Sequence, residues 1–255
     1  MTAAAERFDD PAAVADAVAA LAAPPLVGFD VDGVLAPIVG HASDAALLPG
    51  VLDQLIALAA RVPVAVVSGR TVADLARFGF PASLMVAGSH GAERRGLPLA
   101  PLTTSEAARL DRLRSLAESA AQQAGRGAWV EHKPTGVVLH VREADPARAQ
   151  PAVEQLRSVG ALVAGAQVKG GHGVVELTAR VASKATAVRA MLDESGAASI
   201  AYAGDDATDE DVFTTLGRGD VGVRVGTGPT AAGLRLAGPA DVLRYLELLV
   251  ARLAG

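Results

Sequence analysis

The sequence predicts an α/β protein: a mostly parallel sheet covered by helices on both faces, with a smaller α+β domain inserted into it. Three observations carry this. Apolar stretches that read as buried strands alternate with helical segments at both ends of the chain, the order that parallel sheets with crossover helices require. The middle of the chain follows a different rhythm, a helix followed by two strands, twice over. At 255 residues and 51% hydrophobic content, the chain can bury a large core and a second smaller one.

Taken in order, residues 11–23 read as a helix that the Pro24–Pro25 pair ends, and LVGFD, residues 26–30, as the first strand. LLPGVLDQLIALAA carries apolar residues on one helical face, and VPVAVVSGR is a strand running into a polar turn. TVADLARFG predicts the next helix and LMVAGSHG a short strand. From Leu99 to Thr178 the order is helix SEAARLDRLRSLAESAAQQ, strands AWVEHK and GVVLHVR, helix DPARAQPAVEQLRSVG, and strands LVAGAQVK and HGVVELT. Helices on one side of an antiparallel sheet follow from that pattern. SKATAVRAMLDESG then reads as a helix, SIAYAGDD as a strand, TDEDVFTTLG as a helix, VGVRVG as a strand, and PADVLRYLELLVARLAG as a closing amphipathic helix. The domain division expected is 1–98 and 179–255 for the main domain, with 99–178 inserted.

Composition narrows the chemistry. A formal charge of −5 without a Lys/Arg block argues against nucleic acid or an anionic membrane as partner. The absence of cysteine excludes disulfides, thiolate catalysis and Cys-held metals, so a metal here is held by oxygen or imidazole. The Ala-rich start carries Glu6, Asp9, Asp10 and Asp16 and does not read as a signal peptide. No uncharged apolar run reaches the roughly 18 residues of a membrane helix, so a soluble, cytoplasmic protein is expected. The sequence leaves the oligomeric state open.

In a parallel sheet, ligands bind beyond the carboxyl ends of the strands, and Asp30, Ser68 and Asp205 all fall at such ends. A carboxylate is ionised at neutral pH, so Asp30 is able to act as a nucleophile without activation, while Asp32, two residues on, is able to move protons. A calcium loop starting at Asp30 would need Gly and Glu where Leu35 and His41 stand. Ser68, Gly69 and Arg70 offer a hydroxyl and backbone N–H groups to an anion, or form an ordinary helix cap. Lys184 opens a helix and is a candidate point charge for a phosphate. In GDDATDED, Thr208 reads as an N-cap followed by first-turn acids, which leaves Asp205, with Asp209 or Asp206, to be explained. Asp205 together with the opening pair makes a hard-oxygen set suited to Mg2+. Bringing a carboxylate against a phosphate costs roughly 4 kcal/mol per charge pair at 4 Å and an effective dielectric near 20. A magnesium ion and Lys184 would reverse that sign.

The order DVDGV, SGR, helix-opening Lys and GDD-x-T-D resembles the four motifs of the haloacid dehalogenase superfamily of phosphatases, across the whole chain. More narrowly, DVDGVLAPI, VSGR, GSHGAE, VEHKPTGVVLHVR, GVVEL and GDDATDED are similar to the trehalose-6-phosphate phosphatase family. The resemblance implies a Rossmann-like core, an inserted α+β cap, Mg2+ dependence and a small sugar phosphate as substrate. It implies Asp30 as nucleophile and Asp32 as general acid/base, with Ser68 and Lys184 holding the phosphoryl group beside Gly69 and Arg70. Asp30, the Asp32 carbonyl and Asp205 would hold Mg2+, with Asp209 acting nearby or through water. Glu131, Lys133, Arg142 and Glu176 would read the sugar from the cap, opposite a core loop containing Ser89, His90, Gly91 and Glu93.

Two positions depart from the family pattern: Val34 stands in place of the usual Thr, and Ala185 follows Lys184 where Gly is common. Among the remaining residues, His132, His140 and His172 lack the helical i,i+4 spacing of a metal pair. Trp129 has two readings, sugar stacking and core packing. Competing functions are a phosphatase of another sugar phosphate, such as sucrose or mannosyl phosphates, and a non-catalytic phosphate-responsive module built like a receiver domain.

Overall fold

The computed structural model describes residues 7–22, 24–171 and 173–254. These form eleven strands and eight α-helices. In unit 1 they are α1 (Pro11–Ala19), β1 (Pro25–Phe29), α2 (Val51–Ala59), β2 (Val64–Val67), α3 (Val72–Leu75), β3 (Met85–Gly88) and β4 (Glu93–Arg94). The chain then passes through unit 2: α4 (Thr104–Ala124), β5 (Trp129–His132), β6 (Gly136–His140), α5 (Pro146–Ala161), β7 (Gln167–Gly171) and β8 (Val174–Thr178). It returns with α6 (Lys184–Ser195), β9 (Ser199–Gly204), α7 (Ala207–Phe213), β10 (Val221–Val225), β11 (Leu234–Leu236) and α8 (Pro239–Arg252). Unit 2 covers Leu99–Val181, and unit 1 the segments on either side.

Unit 1 is built on one sheet of order β11-β10-β9-β1-β2-β3-β4, parallel except for the β3/β4 pair. All five residues of β1 are buried because both faces of the sheet are covered. Val27 and Phe29 point into a core shared with Val14, Leu55 and Leu246 of α1, α2 and α8. Leu26 points the other way, into a core with Met191 of α6 and Phe213 of α7. β1 lies centrally between β2 and β9, with Phe29 level with Val66 and Ala203. The chain therefore leaves β1, β2 and β9 side by side at one edge, at Asp30, Ser68 and Asp205.

Unit 2 is an antiparallel sheet of order β5-β6-β8-β7. Its Val137, Leu139, Val175 and Leu177 meet Leu110, Leu113, Ala117 and Leu156 of α4 and α5 in a separate core. This is the α/β class with an inserted α+β portion that the alternation of elements predicts. No helix among the described residues is long and apolar enough to cross a membrane.

Several local expectations differ. The first helix ends at Ala19, and Ala23 lies outside the described residues. The strand expected from Leu162 begins only at Gln167, because the residues after α5 form the turn that reverses the chain. Asp206, not Thr208, caps α7, accepting from the N–H groups of Thr208 and Asp209. A side chain one residue before the helix reaches those donors, so the shorter hydroxyl at position 208 is drawn inside the first turn and donates to Asp206 instead. β4 and β11 are additional strands.

Candidate active site

The strand ends assemble a buried electrostatic cluster. Lys184, the first residue of α6 and 1% exposed, puts Nζ 2.6 Å from Asp30 Oδ2 and 2.8 Å from Asp209 Oδ1. Asp206 Oδ1 lies 3.6 Å from the same nitrogen. Asp30 Oδ1 accepts the Val31 N–H at 2.6 Å, so both oxygens of Asp30 are oriented. Carboxylate oxygens of Asp30, Asp205 and Asp209 come within 4.8 Å of one another. Four carboxylates thus surround one ammonium, and the pKa shifts express the imbalance. Burial pushes Asp30 well above the usual carboxylate range, with Lys184 opposing and Asp209 adding to the rise. Asp205 is raised to about 7, chiefly by burial, then by the charges of Asp209 and Asp206. Burial favours the neutral form of Lys184, but Asp209 and Asp30 overcome it and raise its pKa.

Two glycines make room for this crowding. Gly33 holds φ +78°, and a Cβ there would lie 2.1 Å from Asp205 Oδ2. A Cβ on Gly204 would lie 2.2 Å from Cγ of Asp209. Asp209 has every acceptor position of its carboxylate engaged: Oδ1 by Lys184 and the Tyr202 hydroxyl, and Oδ2 by the backbone N–H groups of Asp205 and Asp206. Tyr202, fully buried on β9, was not singled out by sequence. Every residue of its doubly covered strand is buried, so alternation does not mark it.

Asp32 lies two residues beyond Asp30 and is held by Arg70 as a fork, Nε to Oδ2 and Nη2 to Oδ1, both at 2.7 Å. Burial works against the Arg70 guanidinium charge, and the hydrogen bonds and charge of Asp32, helped by the charges of Asp74 and Asp30, outweigh it and raise the Arg70 pKa. Ser68 is buried, with Oγ accepting the Arg70 N–H at 3.2 Å, while Thr71 caps α3. Ser68 is therefore not a helix cap.

The GSHG turn braces this loop. Ser89 N–H donates to Arg70 O and His90 N–H to Ser68 O. The His90 ring lies against Gly69, where a Cβ would be 2.8 Å from its Cε1. Ser89 and His90 hold φ of +49° and +55°, rare for non-glycine residues and a sign of strain held by the surroundings. Gly91 lies against Ser183 O and Ala187, at the start of α6. Glu93 accepts from the Ser89 hydroxyl and from the Val72 N–H at 3.2 Å. Val34 is fully buried in the main core, where an apolar side chain fits.

In unit 2, Lys133 Nζ lies 2.9 Å from Glu176 Oε1, and His140 Nε2 lies 2.9 Å from Glu131 Oε2. The hydrogen bond from His140 lowers the Glu131 pKa against the opposing effect of burial. Arg142 follows the end of β6 and lines a cavity of about 270 Å³ with Arg157 and residues of α5. His132 pairs with Glu118 of α4, away from His140, and His172 lies outside the described residues.

A family model for trehalose-phosphatase matches residues 28–239. The trehalose-phosphate phosphatase of Mycobacterium tuberculosis is 38% identical over 248 residues, 90% of this chain and 62% of that protein. The chain therefore spans less than two thirds of that relative's length. The trehalose-6-phosphate phosphatase of Escherichia coli K12 is 33% identical over 233 residues, 88% of this chain and 86% of that one. In fold, the C-terminal domain of the Candida albicans trehalose-6-phosphate phosphatase matches with a TM-score of 0.83 at 20% identity, covering 98% of this chain and 99% of that one. With its matched span running from β1 through every cluster residue of unit 1 to the start of α8, the chain belongs to the trehalose-phosphatase family.

Proposed function

We propose that this chain is a Mg2+-dependent phosphatase that converts trehalose 6-phosphate to trehalose and phosphate through an aspartyl-phosphate on Asp30. The observation that carries the proposal is the buried Lys184 ammonium bonded to Asp30 among three further carboxylates. That donor set, all hard oxygen and short of positive charge, suits Mg2+. Asp30 and Asp205 would hold it, and Asp209, its acceptor positions filled, would fix Lys184 and the turn that presents Asp205. A bound Mg2+ supplies charge neutralisation for the carboxylate, the phosphoryl group and its transition state.

The chain's own groups divide the remaining work. Asp30 Oδ attacks phosphorus, forming an acyl phosphate as the bond to the sugar oxygen breaks. Asp32, carrying the proton it took from water in the preceding turnover, gives it to that oxygen, then takes a new proton from the water that cleaves the acyl phosphate, which returns Asp30 as a carboxylate. Both Asp32 oxygens are held by Arg70, so each proton transfer exchanges part of that fork for the reacting oxygen. Lys184 and Ser68 hold phosphoryl oxygens at the ends of α6 and β2. On unit 2, Glu131, Lys133, Arg142 and Glu176 would bond sugar hydroxyls.

With Mg2+, the purified protein should release phosphate from trehalose 6-phosphate far faster than from sucrose, glucose or mannosyl phosphates. Comparable rates on all would reject the substrate and leave the chemistry standing. Asp30→Asn should lower turnover by on the order of a thousandfold or more. Chelation should abolish turnover and Mg2+ restore it; activity that survives chelation would reject the metal.

A further inference from the structure

The sheet of unit 2 has two unlike faces. Its Val137, Leu139, Val175 and Leu177 are spent on the helices. The alternate residues, Trp129, Glu131, His140 and Glu176, share the opposite face, since Trp129 stands directly across from His140, and Val138 across from both Glu131 and Glu176. On that face Trp129 is 52% exposed, so it is not core packing. Its indole lies over the His140 imidazole with centroids 3.8 Å apart and planes 1° from parallel. His140 is itself fixed by Glu131, 2.9 Å away. A large aromatic plane is thus held in water on a fixed imidazole, with the Glu131 carboxylate beside the stack. A pyranose ring has complementary chemistry: one face of C–H groups that stacks on an aromatic, and a rim of hydroxyls that donate to carboxylates.

We infer that Trp129, backed by His140, is the platform on which this chain holds a pyranose ring of its sugar phosphate, and that it helps determine which sugar is accepted. The inference rests on the sugar-phosphatase reading but not on its chemistry, because Trp129 takes no part in phosphoryl transfer. Glu131 has two tasks in it, orienting the His140 ring and accepting from a hydroxyl beside the stack.

Trp129 is the chain's one tryptophan, so its emission reports on this platform alone. Titration with trehalose, which carries no scissile phosphate, should change the emission saturably. Trp129→Ala should raise KM for trehalose 6-phosphate by roughly five- to tenfold with kcat within about twofold, and Trp129→Phe should recover part of the loss. Hydrolysis of a small aryl phosphate should be unchanged in both variants. Unaltered emission at saturating sugar together with an unaltered KM would overturn the inference and leave the phosphatase reading intact. If trehalose 6-phosphate is not hydrolysed, that reading fails instead, and the emission response to other glycosides and glycosyl phosphates decides the platform: a response supports it, and silence to all of them overturns it.

Discussion

Lys184 supplies one positive charge to a pocket with four carboxylates, and its replacement by an apolar residue leaves Asp30 and Asp209 buried without a counter-charge. Lys184→Met should therefore destabilise unit 1 by about 3–5 kcal/mol, read from urea unfolding, and abolish measurable turnover. Added Mg2+ should return part of the stability and none of the rate. A variant as stable as the parent would show that the pair is not the counter-charge it is taken to be. Gly33→Ala is the second residue to test, since its Cβ collides with Asp205 and its φ is positive. It should cost more than about 1 kcal/mol and raise the Mg2+ concentration for half-maximal activity. At this scale the strand-end residues were legible in sequence, because Asp30, Ser68 and Asp205 each interrupt an apolar run with a polar group. Asp209 was less so. An acid in the first turn of a helix reads as dipole chemistry, and only packing reveals that this one is fully buried and holds Lys184, Tyr202 and the 205–206 turn. The fork from Arg70 to Asp32 spans 38 positions and carries no local signal at all.

Elements obey the same logic where their ends are tied. α4 opens with a capping box between Thr103 and Glu106, and Arg180, just past β8, reaches Glu106 as well as the carbonyls of Ala100 and Pro101. One guanidinium thus joins the two ends of the inserted segment. Its hydrogen bond, with that of the Thr103 N–H, lowers the Glu106 pKa from 4.5 to about 2. A depressed carboxylate pKa contributes stability that is present above the unfolded value and lost as pH falls through the folded one. Unit 2 should therefore weaken as pH falls from about 4.5 toward 2, and Glu106→Gln should flatten that dependence in an acid titration followed by amide exchange. Arg180→Ala should speed exchange at residues 103–107 and 177–179 by on the order of tenfold at neutral pH. Unchanged exchange would mean that the segment's ends are held by its core alone. The long helices and buried strands were readable from periodicity. β4 and β11 were not, since strands of two and three residues are too short to show a period and exist through pairing with β3 and β10.

For the molecule as a whole, the chain enters unit 2 after β4 and returns at α6, yet the carboxylates of the cluster all belong to unit 1: Asp30 from before the insertion, Asp205, Asp206 and Asp209 from after it. The change of rhythm after Leu99 made the inserted α+β portion legible, because an antiparallel sheet alternates one apolar and one polar face whereas β1 and β9 are buried throughout. What the linear order hides is that β1 lies between β2 and β9, so that residues from opposite ends of the chain close one site. A ligand that binds only the folded state stabilises the unit that holds its site, by about 2.7 kcal/mol at a hundred times its Kd. Mg2+ should accordingly slow amide exchange across β1, β9 and the first turn of α7, by up to about a hundredfold, and leave β6 and β8 of unit 2 unchanged. Asp205→Asn should remove the effect without altering exchange in unit 2. Equal slowing in both units would mean that they unfold as one cooperative body. Slowing in neither, at Mg2+ concentrations that support turnover, would take Asp30 and Asp205 out of the metal site.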